Sequence, residues 1–294
     1  MWWCTGVWWR GVRQGLGWYS PERGEERFSA LAAGRGLAFA VVGERRCVGV
    51  RRGGRWILCP YGAVLDGGSA SGRCADCARL DRSRSVAADT MGDDPRPYGV
   101  YLAYFGAGLV KVGITGVARG AARLVEQGAV GYAWLGRGPL MAARRAEALL
   151  GSALEVRDRF GKAEKRAGRA ALPPVPERAA ALAALHAAAQ GLAGWPEALE
   201  PVPFAYEDQG ELFGLARVPV GAGEVVALAA GEEIVGEVVA GVGGDVYVSD
   251  VGGGVFVVDG RLLAGWVLRG AAGGVTTVSV RPGGAGAGCQ EGLF

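Results

Sequence analysis

The spacing of apolar and polar residues divides the chain into two strand-rich stretches and a central stretch that contains helices. Short apolar runs bounded by glycine or charged residues, such as 37–42 and 55–58, predict strands within residues 1–58. Valine-rich runs separated by glycine-rich turns predict further strands between residues 201 and 281, a pattern typical of a small all-β barrel or sandwich. The whole chain is therefore expected to have an α+β fold.

Residues 98–170 have the pattern of a small α/β domain. Gly128 is expected to end its first helix and Pro139 to open its second, because glycine favours helix C-termini and proline is tolerated in a first helical turn. The predicted order is strand, strand, helix, strand and helix, at residues 99–104, 109–114, 117–127, 129–135 and 139–154.

Changes in composition divide the chain further. A proline-rich segment at 173–176 precedes an alanine-rich helix, and a Gly/Ala-rich stretch precedes the last residues. The expected regions are a β-rich zinc-binding region at 1–97, the α/β domain at 98–170, a helical connector at 171–200, a C-terminal β domain at 201–282 and a flexible tail at 283–294.

Charge is distributed unevenly, although the formal net charge is only +3. Residues 1–97 carry 15 basic and 10 acidic side chains, residues 98–170 carry 12 and 5, and residues 171–294 carry 5 and 14. A basic first part favours contact with a polyanion such as DNA, and the alternative is that the two parts simply neutralise each other.

The sequence contains no membrane-spanning or secretory signal. No apolar run is long enough to cross a bilayer, and the first residues lack the basic and apolar segments of a signal peptide. We therefore expect a cytoplasmic protein whose six cysteines are thiols or metal ligands rather than disulfides.

Four of these cysteines have the spacing of a structural zinc site. Cys74 and Cys77 are separated by two residues, which lets one tight turn present two thiolates to a tetrahedral ion. Cys47 and Cys59 flank a predicted hairpin turn that would bring them together as the second pair. Buried thiols without a metal are the alternative, and Cys4 is a second candidate for the place of Cys47.

Tryptophan is concentrated at the start of the chain. Five of the nine tryptophans fall within the first eighteen residues. A core that depends on a few large side chains is the favoured interpretation, and a platform for stacking nucleic-acid bases is the alternative.

The α/β domain contains a group of candidate functional residues. Glu147 interrupts the apolar stripe of the predicted helix at 139–154, and a carboxylate there needs a partner, either Arg144 or a bound metal ion. Tyr101 and Lys111 are expected nearly opposite each other on the two strands of the hairpin. Three polar residues share one stripe of the first helix: Arg119, Arg123 and Gln127.

These residues resemble the motifs of the GIY-YIG nuclease superfamily. Gly99-Val100-Tyr101 stands where that superfamily has Gly-Ile-Tyr, and Lys111-Val112-Gly113 stands where it has Tyr-Ile-Gly. Arg123 matches its helix arginine and Glu147 its metal-binding glutamate, while Gln127 replaces a frequent His or Tyr. The order of strands and helices also fits this superfamily.

The resemblance implies hydrolysis of phosphodiester bonds in DNA. Glu147 would hold one Mg²⁺ or Mn²⁺, and Arg123 would stabilise the charge of the five-coordinate phosphorus. Tyr101, with its pKa lowered by the Lys111 ammonium, would take a proton from the attacking water. The substrate-binding residues would be Gly113, Thr115, Arg119, Gln127, Arg144 and Arg145, with Arg137 and the basic run 157–169 on the DNA backbone unless that run is a solvated helix.

Two further resemblances cover other parts of the chain. Stretches at 4–7, 100–103, 111–115 and 126–129 are similar to an uncharacterised bacterial family, domain of unknown function 2797, which brings no established activity. The final residues resemble the Gln-x-x-Leu-Phe peptide of bacterial repair and replication proteins that bind the sliding clamp. This resemblance implies a clamp contact through three residues: Gln290, Leu293 and Phe294.

Three functions agree with these observations. The leading hypothesis is a metal-dependent DNA endonuclease or repair nuclease with a structural zinc. The alternatives are a catalytically inactive nucleic-acid-binding protein of the same fold and a protein-interaction or structural module. The single histidine and the lack of a Gly-rich phosphate-binding loop disfavour a Ser-His or Cys-His hydrolase and a nucleotide hydrolase.

Overall fold

The computed structural model describes residues 1–52, 55–81 and 94–283. These residues form sheets with few helices, which confirms the α+β class, and none of their sheets closes into a barrel. None of the described helices combines the length and the hydropathy needed to cross a membrane. The predicted clamp-binding residues Gln290, Leu293 and Phe294 lie outside the described ranges.

The described residues divide into two compact units. The first unit contains those of Met1–Arg84 together with those of Gly214–Phe294, and the second contains those of Ser85–Phe213. The first unit therefore joins the two regions that the sequence places at opposite ends of the chain.

The first unit begins with a three-stranded antiparallel sheet of β1 (Trp3–Arg10), β2 (Arg13–Ser20) and β3 (Glu25–Ala30), with β2 in the middle. Successive side chains on a strand point to opposite faces of its sheet. Cys4 and Leu16 lie on the inner face, where they are buried in the main hydrophobic core.

A cysteine-bearing segment follows strand β4 (Gly36–Val42). It contains a hairpin of β5 (Val50–Arg52) and β6 (Arg55–Ile57) and a short helix α1 (Ala75–Leu80). Arg52 pairs with Arg55 at the end of the hairpin, so the hairpin expected between Cys47 and Cys59 is present.

The second unit contains an antiparallel sheet. Its strands are β7 (Tyr98–Gly106), β8 (Leu109–Gly116), β9 (Gly131–Gly138), β10 (Glu200–Pro201) and β11 (Glu207–Asp208). Strand β7 lies between β8 and β9, and the two short strands β10 and β11 both pair with β9.

Five α-helices accompany this sheet among the residues described: α2 (Ala122–Gln127), α3 (Leu140–Ala153), α4 (Lys162–Ala170), α5 (Val175–Gln190) and α6 (Gly210–Phe213). A 3₁₀ turn at Val117–Arg119 replaces the first part of the helix expected at 117–127. Gly128 ends α2 in the left-handed conformation, with φ 70°, as the sequence predicts. Pro139 directly precedes α3, also as predicted.

The alanine-rich helix α5 packs on this sheet instead of linking separate domains. The Nε2 atom of its buried His186 lies 3.1 Å from the carbonyl oxygens of Trp134 and Val202. Gln190, one turn further along, donates a hydrogen bond of 2.9 Å to the Leu135 carbonyl. Residues expected to form a connector are thus part of the second unit.

The C-terminal strands share a sheet with β4. They are β12 (Gly223–Val225), β13 (Glu233–Val242), β14 (Asp245–Ser249), β15 (Val255–Asp259), β16 (Val267–Gly270) and β17 (Val280–Arg281), with the helix α7 (Gly260–Leu263) after β15. The order in this seven-stranded sheet is β16, β4, β13, β14, β15, β12, β17. Phe39 of β4 is paired with Ile234 of β13, and both are buried, so these strands do not form a separate C-terminal domain.

Candidate active site and metal centre

Four cysteines converge beside the β5–β6 hairpin. The sulfur atoms of Cys47, Cys59, Cys74 and Cys77 all lie within 4.8 Å of one another, and those of Cys59 and Cys74 are 3.9 Å apart. A tetrahedral zinc with Zn–S bonds of about 2.3 Å places its sulfur ligands about 3.8 Å apart. The four cysteines can therefore bind a metal ion such as zinc, and the predicted convergence is confirmed.

A glycine after Cys47 shapes this cluster. Gly49 has φ +73°, and a Cβ at this position would lie 2.1 Å from the Ile57 carbonyl oxygen. Its backbone N–H donates a 3.4 Å hydrogen bond to the Cys47 sulfur, and the N–H of Cys74 donates another of 3.2 Å. A glycine two residues after a ligand cysteine is a sequence signal that the cysteine spacing alone does not use.

Hydrogen bonds and burial shift the pKa values of these thiols in different directions. Burial acts to raise the pKa of Cys59, but the backbone N–H groups of Ala63 and Tyr61 and the neighbouring sulfurs outweigh it and lower that pKa to about 7. Burial raises the pKa of Cys47 and Cys77. Because all four candidate ligands come from the protein, the site has the closed donor set of a structural zinc.

Cys4 is not part of this cluster. It is fully buried in the hydrophobic core on strand β1, and burial raises its thiol pKa to about 12. The alternative in which Cys4 replaces Cys47 is therefore wrong, because the pairing of β1 with β2 directs Cys4 into the core.

A buried ion pair supports the cysteine cluster. Arg73 forms a 3.0 Å ion pair with Asp81, and these side chains are only 11% and 7% exposed. The Arg73 Nε atom also donates a 2.9 Å hydrogen bond to the Gly49 carbonyl. This arginine, which directly precedes Cys74, thus connects the end of α1 to the loop that carries Cys47.

In the second unit, Tyr101 lies at the centre of the predicted active site. It is 2% exposed, and its hydroxyl accepts a 3.0 Å hydrogen bond from Gln127. Gly113, not Lys111, is its direct partner on β8, and an irregularity between Tyr104 and Gly106 shifts the register of this hairpin by one residue. Lys111 pairs with Ala103, so it lies on the same face as Tyr101 but two residues along the strand.

The pKa of Tyr101 is shifted in the direction opposite to the one expected. Burial raises the pKa of Tyr101, against the hydrogen bond from Gln127 and the positive charge of Arg123. The expected lowering of this pKa by Lys111 is therefore not what the structure gives. Burial lowers the pKa of Lys111 itself to about 8, and Arg123 contributes to the same shift.

Glu147 extends from α3 into the same group. Burial raises its carboxyl pKa, with Lys111 acting in the opposite direction and Asp158 adding to the rise. The Lys111 ammonium donates a 3.2 Å hydrogen bond to the backbone carbonyl of Asp158. Arg144, on the same helix, also attracts Glu147, as the internal ion-pair interpretation expects.

The predicted substrate-binding residues differ in how far their side chains are buried. Thr115 is 1% exposed, and its hydroxyl has no hydrogen-bond partner among the described residues. Arg119 forms a 2.5 Å ion pair with Glu126, and Arg123 lies 4.0 Å from the same carboxylate. Arg144 is half-buried, whereas Arg145 is exposed.

Part of the basic run at 157–169 is used within this unit. Lys165 donates a 3.2 Å hydrogen bond to the Gln127 carbonyl and lies 3.9 Å from the centre of the Phe105 ring. Arg157 forms a 2.9 Å ion pair with Glu164. The run is therefore neither a wholly solvated helix nor a wholly available DNA-binding surface.

Comparison with known proteins identifies a family but no activity. A family model described as a protein of unknown function (DUF2797) matches residues 34–268, which confirms that resemblance of the sequence. No curated protein and no solved structure matches the chain.

Proposed function

The chain belongs to the DUF2797 family of proteins of unknown function, and we propose that it is a divalent-metal-dependent DNA endonuclease or repair nuclease. The observation that carries this proposal is the meeting of four side chains from two strands and two helices: Tyr101, Lys111, Arg123 and Glu147. Arg123 and Glu147 act electrostatically on both strand residues. The match of these positions to GIY-YIG motifs supports the same reaction.

Glu147 and Asp158 would hold the cation. Burial raises the pKa of the Glu147 carboxyl, and the negative charge of Asp158 raises it further. A divalent cation would offset both effects, and Mg²⁺ commonly uses one or two carboxylates with water and phosphate. A bound Mg²⁺ or Mn²⁺ supplies positive charge at the scissile phosphate.

Lys111 is the best proton acceptor of the group. Its pKa of about 8 leaves part of the population neutral at physiological pH, whereas burial raises the pKa of Tyr101. We therefore assign removal of the water proton to Lys111 rather than to Tyr101. The Tyr101 hydroxyl accepts from Gln127 and keeps its own proton, which it can donate to the water or to a phosphate oxygen.

Arg123 would stabilise the negative charge that develops on phosphorus. Its side chain is 23% exposed, and Glu126 lies 4.0 Å away, so it is oriented by the protein while remaining accessible to an anion. A guanidinium matches two phosphate oxygens at once. Arg119, which pairs with the same glutamate, would bind an adjacent phosphate of the backbone.

A nucleic-acid-binding protein without catalytic activity is the second candidate. The raised pKa of Tyr101 favours it, because the residue in the position of the superfamily tyrosine then stays protonated at neutral pH. The two functions differ in whether DNA is cut or only bound.

The test is incubation of the purified protein with supercoiled and branched DNA in Mg²⁺ or Mn²⁺, beside Glu147→Ala. Metal-dependent cleavage that the variant loses supports the nuclease. Salt-sensitive binding without cleavage supports the non-catalytic alternative. A protein that neither binds nor cuts DNA would instead be an interaction or structural module.

A contact with the sliding clamp through Gln290, Leu293 and Phe294 remains a separate proposal. It rests on the Gln-x-x-Leu-Phe resemblance and on the glycine-rich stretch before it. Deletion of residues 290–294 should abolish recovery of the protein with the clamp, and unchanged recovery would contradict this contact.

A further inference from the structure

On the outer face of the first sheet, aromatic rings pack directly against glycine residues of β2. A Cβ at Gly17 would lie 2.4 Å from the Trp8 ring, and one at Gly15 would lie 2.5 Å from the Phe28 ring. Neither position therefore has room for a side chain, and the two rings lie against the backbone of β2. This face is opposite to the one that contributes Cys4 and Leu16 to the core.

A second pair of rings extends this surface. Trp56, on the β5–β6 hairpin, meets Trp8 edge-on with ring centres 6.5 Å apart and lies 6.0 Å from Tyr19. We call the four residues Trp8, Tyr19, Phe28 and Trp56 the aromatic face. Each of them is half-buried, so the rings retain accessible area after packing against one another.

Arginines face each other at the ends of both hairpins. Arg10 is paired with Arg13 across the β1–β2 turn, and Arg52 is paired with Arg55 across the β5–β6 turn. Like charges directly opposite each other destabilise a sheet. All four side chains are exposed, and no ion pair between described residues involves any of them.

The acidic residues of this region do not neutralise these arginines. Glu26 lies 3.3 Å from Arg51, and Glu25 lies 3.7 Å from Arg27. Each of these carboxylates thus already has a different arginine as its partner. The two facing pairs are left with their mutual repulsion, which a bound polyanion would relieve.

One contact joins the basic and the aromatic side chains. The guanidinium carbon of Arg10 lies 4.7 Å from the centre of the Phe28 ring. This cation–π contact places a planar cation next to a planar ring. Stacking surfaces for bases beside cations for phosphates are the combination found in proteins that bind single-stranded nucleic acid.

We propose that the aromatic face and the four exposed arginines at the two hairpin ends bind single-stranded DNA. Bases would stack on the rings, and phosphates would bind Arg10, Arg13, Arg52 and Arg55. A duplex keeps its bases stacked inside the helix, and an anionic membrane surface offers no bases, so neither uses the rings in this way. The inference rests on the proposed nuclease function only for the choice of DNA over RNA.

The test is titration of the full-length protein with an oligodeoxythymidine, followed by tryptophan fluorescence at several salt concentrations. The wild-type protein should show quenching and salt-sensitive binding. Each phosphate contact on a single strand contributes about 0.7 to the slope of log K against log salt. The double variant Arg10→Gln with Arg13→Gln should therefore lower that slope by about 1.4 and weaken binding about tenfold at low salt.

A matched variant removes the same charge elsewhere. Arg35 and Arg269 are exposed residues of the same unit that lie outside the aromatic face and its hairpin ends. Arg35→Gln with Arg269→Gln should leave the slope unchanged. Equal weakening by both double variants would overturn the proposal, because binding would then depend only on total charge.

A further variant separates stacking from charge. Phe28→Leu keeps an apolar side chain over Gly15 but removes the ring, and should weaken binding about tenfold without changing the salt slope. Tighter binding of a duplex, or of the RNA oligomer of the same length, would overturn the choice of single-stranded DNA. Unchanged affinity of Phe28→Leu would overturn the stacking role.

Failure of this inference is distinguishable from failure of the nuclease proposal. Glu147→Ala should retain oligonucleotide binding, since Glu147 lies in the other unit. Binding that depends on Arg10 and Arg13 in a protein without cleavage activity contradicts the nuclease alone. Cleavage by a protein whose arginine variants bind normally contradicts the single-strand site alone.

Discussion

The ring of Tyr101 lies against Gly113, its direct partner across the β7–β8 ladder. A Cβ at position 113 would lie 2.5 Å from the Tyr101 hydroxyl oxygen and 2.6 Å from the ring carbon that carries it. Glycine is therefore required here by the close approach of the ring rather than by a special backbone angle. The position of the Tyr101 hydroxyl depends on this absence of a side chain.

Gly113→Ala should displace Tyr101 from the site. We expect a loss of about 1–3 kcal/mol in unfolding free energy, the range typical of overpacking, together with reduced DNA cleavage. Urea denaturation and a plasmid-nicking assay measure the two effects. Gly116→Ala is the matched control on the same strand, because nothing lies within 4 Å of the added Cβ there. Equal behaviour of the two variants would contradict the steric role of Gly113.

Removal of one cysteine of the cluster should release its metal. Cys59→Ser is expected to reduce bound zinc from about one ion per chain to near zero and to lower the melting temperature, because a structural zinc stabilises the folded state. Metal analysis and thermal unfolding, with and without a chelator, provide the measurements. Cys4→Ala should keep its zinc even if the altered core melts earlier. Absence of zinc from the wild-type protein would rule out the metal centre.

Arg45 should contribute strongly to the stability of the first unit. It is 1% exposed, and all its hydrogen bonds described here go to backbone carbonyls, those of Asp66, Ser69, Ser71, Arg261 and Ala264. Lysine has fewer donors and a different geometry, so Arg45→Lys leaves buried carbonyls without partners and should cost about 3 kcal/mol. Chemical denaturation measures this cost, and the exposed Arg35→Lys is its control.

The pH dependence of cleavage should follow Lys111. Burial lowers its pKa to about 8, so the neutral amine that accepts a proton becomes more populated as the pH rises through this value. Below pH 8 the rate should rise about tenfold per pH unit, and above it the rate should level off. Initial rates from pH 6 to 9.5 at constant ionic strength test this. Lys111→Met should lose the rise; the same profile in that variant would assign the proton to another group.

Local parts of the fold could be predicted from the sequence. The β-β-α-β-α order of residues 98–154 follows from short-range signals, and Gly128 and Pro139 mark helix ends where expected. The register of the β7–β8 hairpin was harder to predict, since an irregularity between Tyr104 and Gly106 shifts the pairing by one residue and so decides that Lys111 lies opposite Ala103. Such an irregularity depends on the packing of whole strands, which a local pattern does not contain.

The pairing of strands that are far apart in the chain could not be predicted from such local signals. Strand β4 pairs with β13, which is nearly two hundred residues later, because Phe39 and Ile234 are buried together in one core. Alternating valines predict a strand but do not select its neighbour. The cysteine site was easier to predict, since the Cys74–Cys77 turn and the β5–β6 hairpin are each local features of the sequence. The exclusion of Cys4 from the site, in contrast, depended on the pairing of β1 with β2.

The central claim is that Glu147 supports metal-dependent cleavage of DNA. Its most direct test is the single-turnover rate at which the wild-type protein and Glu147→Gln nick supercoiled DNA in Mn²⁺. The control is Glu155→Gln, which changes an exposed carboxylate just beyond the end of α3. We predict that Glu147→Gln lowers the rate at least about 100-fold while DNA binding and folding persist and Glu155→Gln stays near wild type. A wild-type protein that binds DNA but never nicks it, or a Glu147→Gln variant that nicks at the wild-type rate, would contradict the claim.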